Sequence, residues 1–142
     1  MDLFCFASNN LHNIQLGLEA GTWAVCPSDE SNFARGRATK ARDLRPGSRG
    51  VFYCSEPGVK AFLLPFEVTE EVDTERVLTN TIWSGSWVLP FKFRPLGRLD
   101  RRVKYRDAAR RWPRLNVQSV TAFVSHQISE DEWGQICFEL KA

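Results

Sequence analysis

The sequence lacks an uninterrupted apolar stretch approaching the roughly 20 residues that a helix needs to span a bilayer. It also opens without a basic leader or a small-residue cleavage site, because Met1-Asp2 leads directly into an apolar run. We therefore expect a soluble, intracellular protein without a membrane partner, in a compartment that the sequence leaves open. A length of 142 residues with 43% hydrophobic residues leaves little room for two cores, so residues 1–142 are predicted to form a single domain.

Catalytic motifs are missing as well. The two histidines, His12 and His126, have no adjacent pattern that suggests a nucleophile, a metal cage or paired carboxylates. The G-x-S-x-G, H-E-x-x-H and phosphate-loop motifs are absent, and Gly47-Ser48-Arg49-Gly50 precedes a strand-like run, whereas a phosphate loop follows one. We therefore predict that the protein is not an enzyme and that it uses neither a metal nor a cofactor.

No two cysteines are close enough in sequence to suggest a zinc site. The four are Cys5, Cys26, Cys54 and Cys137, and the first three lie within or beside apolar, strand-like runs. A free thiol in such a run behaves as a small apolar residue. We expect all four to be reduced and packed in the core, because disulfide frameworks belong to smaller secreted chains.

The charges are segregated, although the formal net charge is only +2. Residues 92–114 carry ten basic and two acidic residues, and residues 35–49 carry six basic and one acidic. Acidic residues gather instead in residues 67–75 and 130–139. This separation predicts one positive and one negative face, and the positive face favours a negatively charged partner.

Apolar runs and turn signals predict an α+β fold. Strands are expected at residues 3–6, 22–25, 50–54, 59–68, 87–94 and 117–124, with a hairpin turn at Pro57-Gly58. Helices are expected between Asn10 and Gly21 and after the capping box of Ser129 and Glu132, with a weaker one over residues 99–111. Residues 28–46 are predicted to form a loop with one short turn of helix. About six strands with two or three flanking helices favour a small, strongly curved sheet or barrel.

Two of the five tryptophans suggest a binding slot. Trp23 lies in a predicted strand and Trp83 in a loop, and facing indoles can stack a flat ligand between them. Such a slot beside basic segments indicates a nucleobase, because phosphates provide the attraction and the aromatic walls hold the base. A base in a duplex would have to flip out of the stack to enter.

The opening residues resemble those of YTH domains, which read N6-methyladenine in RNA. The stretch Phe6-Ala7-Ser8-Asn9-Asn10-Leu11-His12-Asn13-Ile14, followed by Gly21-Thr22-Trp23-Ala24-Val25, matches the family's Ser-Asn-Asn helix start, its Asn three residues later and its Gly-x-Trp strand. The end of the chain, residues 116–133, is more similar to EVE domains. Both belong to the PUA-like group, which implies a mixed barrel with a binding pocket at one end, no catalysis and no cofactor.

The resemblance also implies roles for individual residues. Trp23 and Trp83 would sandwich the base and its methyl group, with Trp87 as the fallback for the second wall. The Asn13 side chain would meet a ring nitrogen and the Asn9 and Asn10 region another edge, while the main chain at Ala24 would accept from the methylated amine. Asn9 and Asn10 are equally well explained as a helix N-cap.

Ala7 stands where many YTH domains carry a lysine, and residues 117–119 stand near the place of an Arg-Asp-Gly motif, so RNA is a weaker expectation than a nucleic acid in general. Phosphate binding is then assigned to basic residues elsewhere, namely Arg35, Arg37, Lys40, Arg42, Arg98, Arg101, Arg102, Lys104, Arg106, Arg110 and Arg111. This arrangement also suits the readers of modification-dependent restriction systems, which leaves open a nuclease or motor domain in the full-length protein.

The hypothesis from sequence is a reader, monomeric in isolation, that binds a methylated base in DNA or RNA, most favourably N6-methyladenine. An EVE-type reader of 5-methylcytosine or a related modified cytosine in DNA is the alternative. A peptide or methyl-lysine module is a further alternative, although the charges near the tryptophans are mostly basic. An RNA-modifying enzyme ranks last because no acid, base or metal set is visible.

Overall fold

The computed structural model describes residues 2–25, 41–115, 123–125 and 128–141. Within these residues the chain forms eight strands, three α-helices and one 3-10 turn. In chain order the elements are β1 Leu3–Ser8, α1 Leu11–Ala20, β2 Thr22–Val25, β3 Arg49–Cys54, β4 Ala61–Val68, β5 Val77–Thr79, β6 Ser86–Pro95, β7 Arg102–Lys104, α2 Tyr105–Arg111, the 3-10 turn Pro113–Leu115, β8 Phe123–Ser125 and α3 Glu130–Leu140.

The strands form one curled mixed sheet in the order β2-β6-β4-β3-β1-β8, with β5 added beside β6 and β7 beside β4. Strands β1 and β3 are parallel neighbours, and the remaining pairs are antiparallel. The predicted α+β class, with a strongly curved mixed sheet and two to three helices, is confirmed. The predicted number of strands was too low, because β5 and β7 have three residues each and the sequence around them is rich in charge.

Side chains on the two faces of the sheet belong to two separate cores. Alternation along β1 places Phe4 and Phe6 in the core beneath α1, and Leu3 and Cys5 in the core beneath α2 and α3. Cys5 and Cys54 are fully buried free thiols, as predicted, whereas Cys26 lies outside the described residues. Cys137 is a half-buried free thiol, and desolvation raises its pKa to about 11.

Capping signals placed two helices correctly. The Asn10 side chain accepts from the backbone N–H of Asn13, and α1 ends at Gly21, whose φ of +63° is a conformation that glycine adopts readily. Helix α3 begins with the predicted capping box, in which the side chains of Ser129 and Glu132 each accept from the other's backbone N–H.

The helix predicted over residues 99–111 is wrong in its first half. Residues Arg102–Lys104 form β7 instead. Val103 is buried between two exposed basic residues, which is the alternation of a strand, and Ala61–Leu63 of β4 supply the backbone partners. Helix α2 begins only at Tyr105. The last predicted strand, residues 117–124, is described only from Phe123, where β8 pairs with β1.

None of the helices in the described part of the chain is both long and apolar enough to cross a membrane.

Candidate base-binding cavity

A cavity of about 270 Å³ opens where β1 and β3 end side by side. The backbone N–H of Ser55, just beyond β3, donates to the carbonyl oxygen of Ser8 over 2.9 Å and holds these two strand ends together. The start of α1, strand β2 and the start of β6 complete the walls. The lining residues are Phe6, Ala7, Ser8, Asn9, Asn13, Trp23, Ala24, Val25, Ser55 and Trp87.

The indole of Trp23 is the fixed wall of this cavity. It is 4% exposed, and the ring of Phe52 meets it edge-on with centroids 5.0 Å apart. Helix α1 packs directly on it, because a Cβ at Gly17 would lie 2.9 Å from Cε3 of Trp23. A glycine in the middle of α1 therefore allows the helix to approach the indole and hold it in place.

Trp83 does not form the predicted second wall. Its ring is 3% exposed, and its edge contacts Trp23 with centroids 5.1 Å apart and planes inclined by 78°. Its indole Nε1 donates to the backbone oxygen of Asn13 over 2.8 Å. The open gap predicted between Trp23 and Trp83 is therefore closed by direct contact of the two rings, and Trp83 lies behind the cavity.

Trp87, the fallback from sequence, lines the cavity instead. It is half-buried, with its centroid 6.4 Å from that of Trp23 and 5.0 Å from that of Trp83. Its Nε1 donates to the carbonyl oxygen of Ser84 over 2.9 Å. The planes of Trp23 and Trp87 are inclined by 56°, so a base stacked on both faces requires Trp87 to turn.

The three asparagines Asn9, Asn10 and Asn13 have two different roles. Asn10 is the N-cap of α1, and its side chain does not line the cavity, so its predicted contact with a base edge is replaced by a contact with the helix. Asn9 and Asn13 both line the cavity. The hydrogen bonds described for Asn13 are made by its backbone, to Asn10 and Trp83.

The backbone beside Ala24 is irregular. The pairing of β2 with β6 shifts register between Trp23 and Val25, and Ala24 falls outside the paired positions. Opposite this shift, Leu89 has a φ of +55°, which is uncommon for a residue with a side chain. Such bulges re-aim chain segments at functional sites, and this one lies at the cavity wall, where Ala24 is part of the lining.

Eight of the eleven predicted phosphate-binding residues lie within the described part of the chain. Arg98 is ion-paired with Asp100 at 2.8 Å and Arg110 with Asp107 at 2.6 Å. Arg42, Arg101, Arg102, Lys104 and Arg106 are exposed, and Arg35, Arg37 and Lys40 lie outside the described residues.

Arg111 lies in an acidic setting beside α3. Its guanidinium donates to Glu139 over 2.6 Å, and this hydrogen bond lowers the pKa of the Glu139 carboxyl. Glu130 and Asp131 line the same surface depression as Arg111. This acidic surrounding makes Arg111 poorly suited to contact a phosphate.

Five lining residues were not predicted as site residues, namely Phe6, Ala7, Ser8, Val25 and Ser55. Ser55 directly follows an apolar strand run, and the ends of two parallel neighbouring strands meet at the same edge of a sheet. This position could have identified Ser55 as a lining residue. Recognising it required knowing that β1 and β3 are neighbours. Among the described residues, no three His, Cys, Asp or Glu side chains are grouped as metal ligands would be.

The sequence matches no protein-family model and no curated protein. The fold has clear relatives among solved structures. The YTH domain-containing protein mmi1, in a complex with RNA, superposes with a TM-score of 0.62 at 11% identity, over 98% of this chain and 80% of that one. The chain has the fold of YTH domains.

Two further YTH domains show the same likeness. That of the Zygosaccharomyces rouxii MRB1 protein, in complex with N6-methyladenosine RNA, gives a TM-score of 0.55 at 16% identity, over 99% of this chain and 87% of that one. The Toxoplasma CPSF4-YTH domain, in apo form, gives 0.61 at 13% identity, over 98% and 85%. The YTH fold thus extends over almost all of this chain.

Proposed function

We propose that this protein is a non-enzymatic reader of a methylated base, first of all N6-methyladenine in single-stranded RNA. The observation that carries the proposal is the composition of one cavity on a YTH fold. Two tryptophans, Trp23 and Trp87, an asparagine, Asn13, and Ala24 at a strand irregularity line a space of about 270 Å³. That volume is at the lower end of ligand cavities, about 300 Å³, and suits a single base.

Each group of the cavity has a distinct task in this proposal. The indoles supply stacking and dispersion, the Asn13 amide pairs with the base edge, and the Ala24 carbonyl accepts from the methylated amine. N6-methyladenine is neutral, so cation–π attraction contributes nothing. Burial of one methyl group is worth about 0.8 kcal/mol, and apolar pockets discriminate a single methyl(ene) by roughly 1–3 kcal/mol, which gives a preference of tens of fold.

The cavity takes one base, so a duplex target has to be opened first. Unstacking and unpairing a base requires a few kcal/mol, which a single-stranded target largely avoids. RNA is placed first because solved domains of the same fold are described in complexes with RNA and with N6-methyladenosine RNA. We also propose that residues 1–142 form a single domain.

The test is a titration of the whole chain with single-stranded oligonucleotides of one sequence, as RNA and as DNA. Each carries N6-methyladenine, 5-methylcytosine or no modification, and Kd is measured by fluorescence polarisation at one salt concentration. We expect N6-methyladenine RNA to bind tens of fold more tightly than unmodified RNA. Tightest binding to 5-methylcytosine DNA would instead identify the modified cytosine as ligand, and equal binding to all six would overturn the reader proposal.

The same titration with Asn13→Ala isolates the base-edge contact. Loss of a hydrogen bond that leaves a buried polar group unpaired costs about 1–3 kcal/mol, so the affinity for the marked strand should fall by roughly five- to 150-fold. Gln15→Ala is the matched control, because Gln15 lies on the solvent side of the same helix, where it pairs with Glu19. Equal effects of the two substitutions would remove Asn13 from the site.

A further inference from the structure

A second groove lies at the same end of the sheet, on the other side of the turn between β3 and β4. Its volume is about 570 Å³, and it opens against the second core. The residues that matter in its lining are Tyr53, Lys60, Lys104, Tyr105, Arg106 and Asp107.

The groove and the base-binding cavity are neighbours across one pair of strands. Ala7, which lines the cavity, is the direct partner of Tyr53 in the pairing of β1 with β3. Ser55, also in the cavity, begins the turn that carries Lys60. A nucleic-acid strand that leaves the cavity over this turn therefore reaches the groove next.

Basic side chains on adjacent strand ends give the groove its charge. The backbone N–H of Tyr105 donates to the carbonyl oxygen of Lys60 over 3.0 Å, and Lys104 pairs with Ala61, so Lys60 and Lys104 are held close together. Both are exposed, as is Arg106. The carboxylate in the lining, Asp107, is ion-paired with Arg110, which reduces its repulsion of an anion.

A fixed aromatic ring adjoins these cations. Tyr53 is 7% exposed and meets the edge of Tyr105, with centroids 6.0 Å apart and planes inclined by 63°. Tyr105 is itself only half-buried, and part of it faces the groove. Because Tyr53 supports the ring of Tyr105 and part of Tyr105 is exposed to the groove, a base can stack on Tyr105.

We propose that this groove binds the nucleotide next to the methylated one, with its base on Tyr105 and its phosphate between Lys60 and Lys104. This inference rests on the proposed function, because the cavity determines where the strand starts. It adds a second subsite that involves Lys60 and Tyr105, neither of which the sequence pointed to. Each phosphate neutralised by a single-stranded ligand contributes about 0.7 to the salt dependence of binding.

Lys60 offers a substitution that removes charge without harming the fold. Its φ is +42°, a conformation in which asparagine is several-fold enriched over other residues with side chains. Lys60→Asn should therefore fold at least as well as the original chain. Combined with Lys104→Ala, it removes both proposed phosphate contacts, and Lys92→Ala is the matched control, since Lys92 lies beside Glu70 and Glu71 at a different depression.

The measurement compares the free nucleoside of N6-methyladenine with trinucleotides extended from that nucleotide on the 5′ or on the 3′ side, each trinucleotide made with and without the methyl group. We expect the double variant to bind one of the two marked trinucleotides about tenfold or more weakly, and the affinity for it to depend less steeply on salt concentration. Its affinity for the nucleoside should be unchanged. Tyr105→Ala should weaken the same trinucleotide. If neither trinucleotide responds while the nucleoside still binds, the groove proposal is overturned and the reader proposal stands. If the unsubstituted protein binds the marked and the unmarked trinucleotide with equal affinity, and the double variant binds both more weakly, the groove proposal stands and the reader proposal is overturned.

Discussion

Replacing Trp87 with alanine is expected to remove most of the preference for a methylated base while leaving the fold intact. Trp87 is half-buried and lines the cavity together with Trp23. Stacking of a base on an aromatic side chain contributes about 1–3 kcal/mol by alanine substitution. The affinity for marked RNA should therefore fall by roughly five- to 150-fold, towards that for unmarked RNA.

Two control variants make the Trp87 result specific. Trp87→Phe retains an aromatic face and should keep part of the preference, although it loses the hydrogen bond from Nε1 to Ser84. Phe138→Ala removes an aromatic ring that is 65% exposed on α3, away from the cavity, and should change nothing. Unaltered discrimination in Trp87→Ala would show that the cavity is not where the methyl group is read. Far-ultraviolet circular dichroism of each variant monitors the fold.

The sequence contained the elements of the cavity but not its final arrangement. Trp23 was predicted from its place in a strand and Asn13 from the resemblance to YTH domains, and both line the cavity. The sequence favoured Trp83 over Trp87 as the second wall, whereas Trp87 lines the cavity. The difference depends on how the loop between β5 and β6 is folded. There, the backbone N–H groups of Asn80 and Gly85 bond across the loop, and both residues have positive φ. This geometry turns Trp83 inward and leaves Trp87 at the cavity.

The same limit applies to the basic run of residues 92–114. Its charge could be counted, but the division of the run into strand β7 and helix α2 depends on a free edge of β4 far away in the sequence. As a result, Lys104 and Arg106 line the groove beside the cavity, and Arg111 lies next to the carboxylates of α3. Helix ends, by contrast, are set by local contacts, which is why the caps at Asn10, Gly21 and Ser129 were predicted correctly.

Replacing Trp83 with alanine should damage the fold and not merely the recognition of a mark. Trp83 is 3% exposed within the core beneath α1, and substitutions of buried Trp or Phe by alanine cost about 3–5 kcal/mol. The variant also leaves the carbonyl oxygen of Asn13 without its indole donor. Against a total free energy of unfolding of about 5–15 kcal/mol for a typical domain, this loss is severe. Urea denaturation followed by circular dichroism gives the change.

Trp83→Phe separates the two contributions, because the smaller ring still fills much of the space but cannot donate to Asn13. It should lose less stability than Trp83→Ala, and any loss of binding should follow from the altered position of Asn13 at the cavity wall. Trp87→Ala is the matched comparison four residues away in the chain, and a half-exposed ring should contribute far less to stability. A Trp83→Ala protein as stable as the original, yet unable to distinguish marked from unmarked RNA, would contradict this interpretation. It would return Trp83 to the role of second wall, in a cavity that opens by separating it from Trp23.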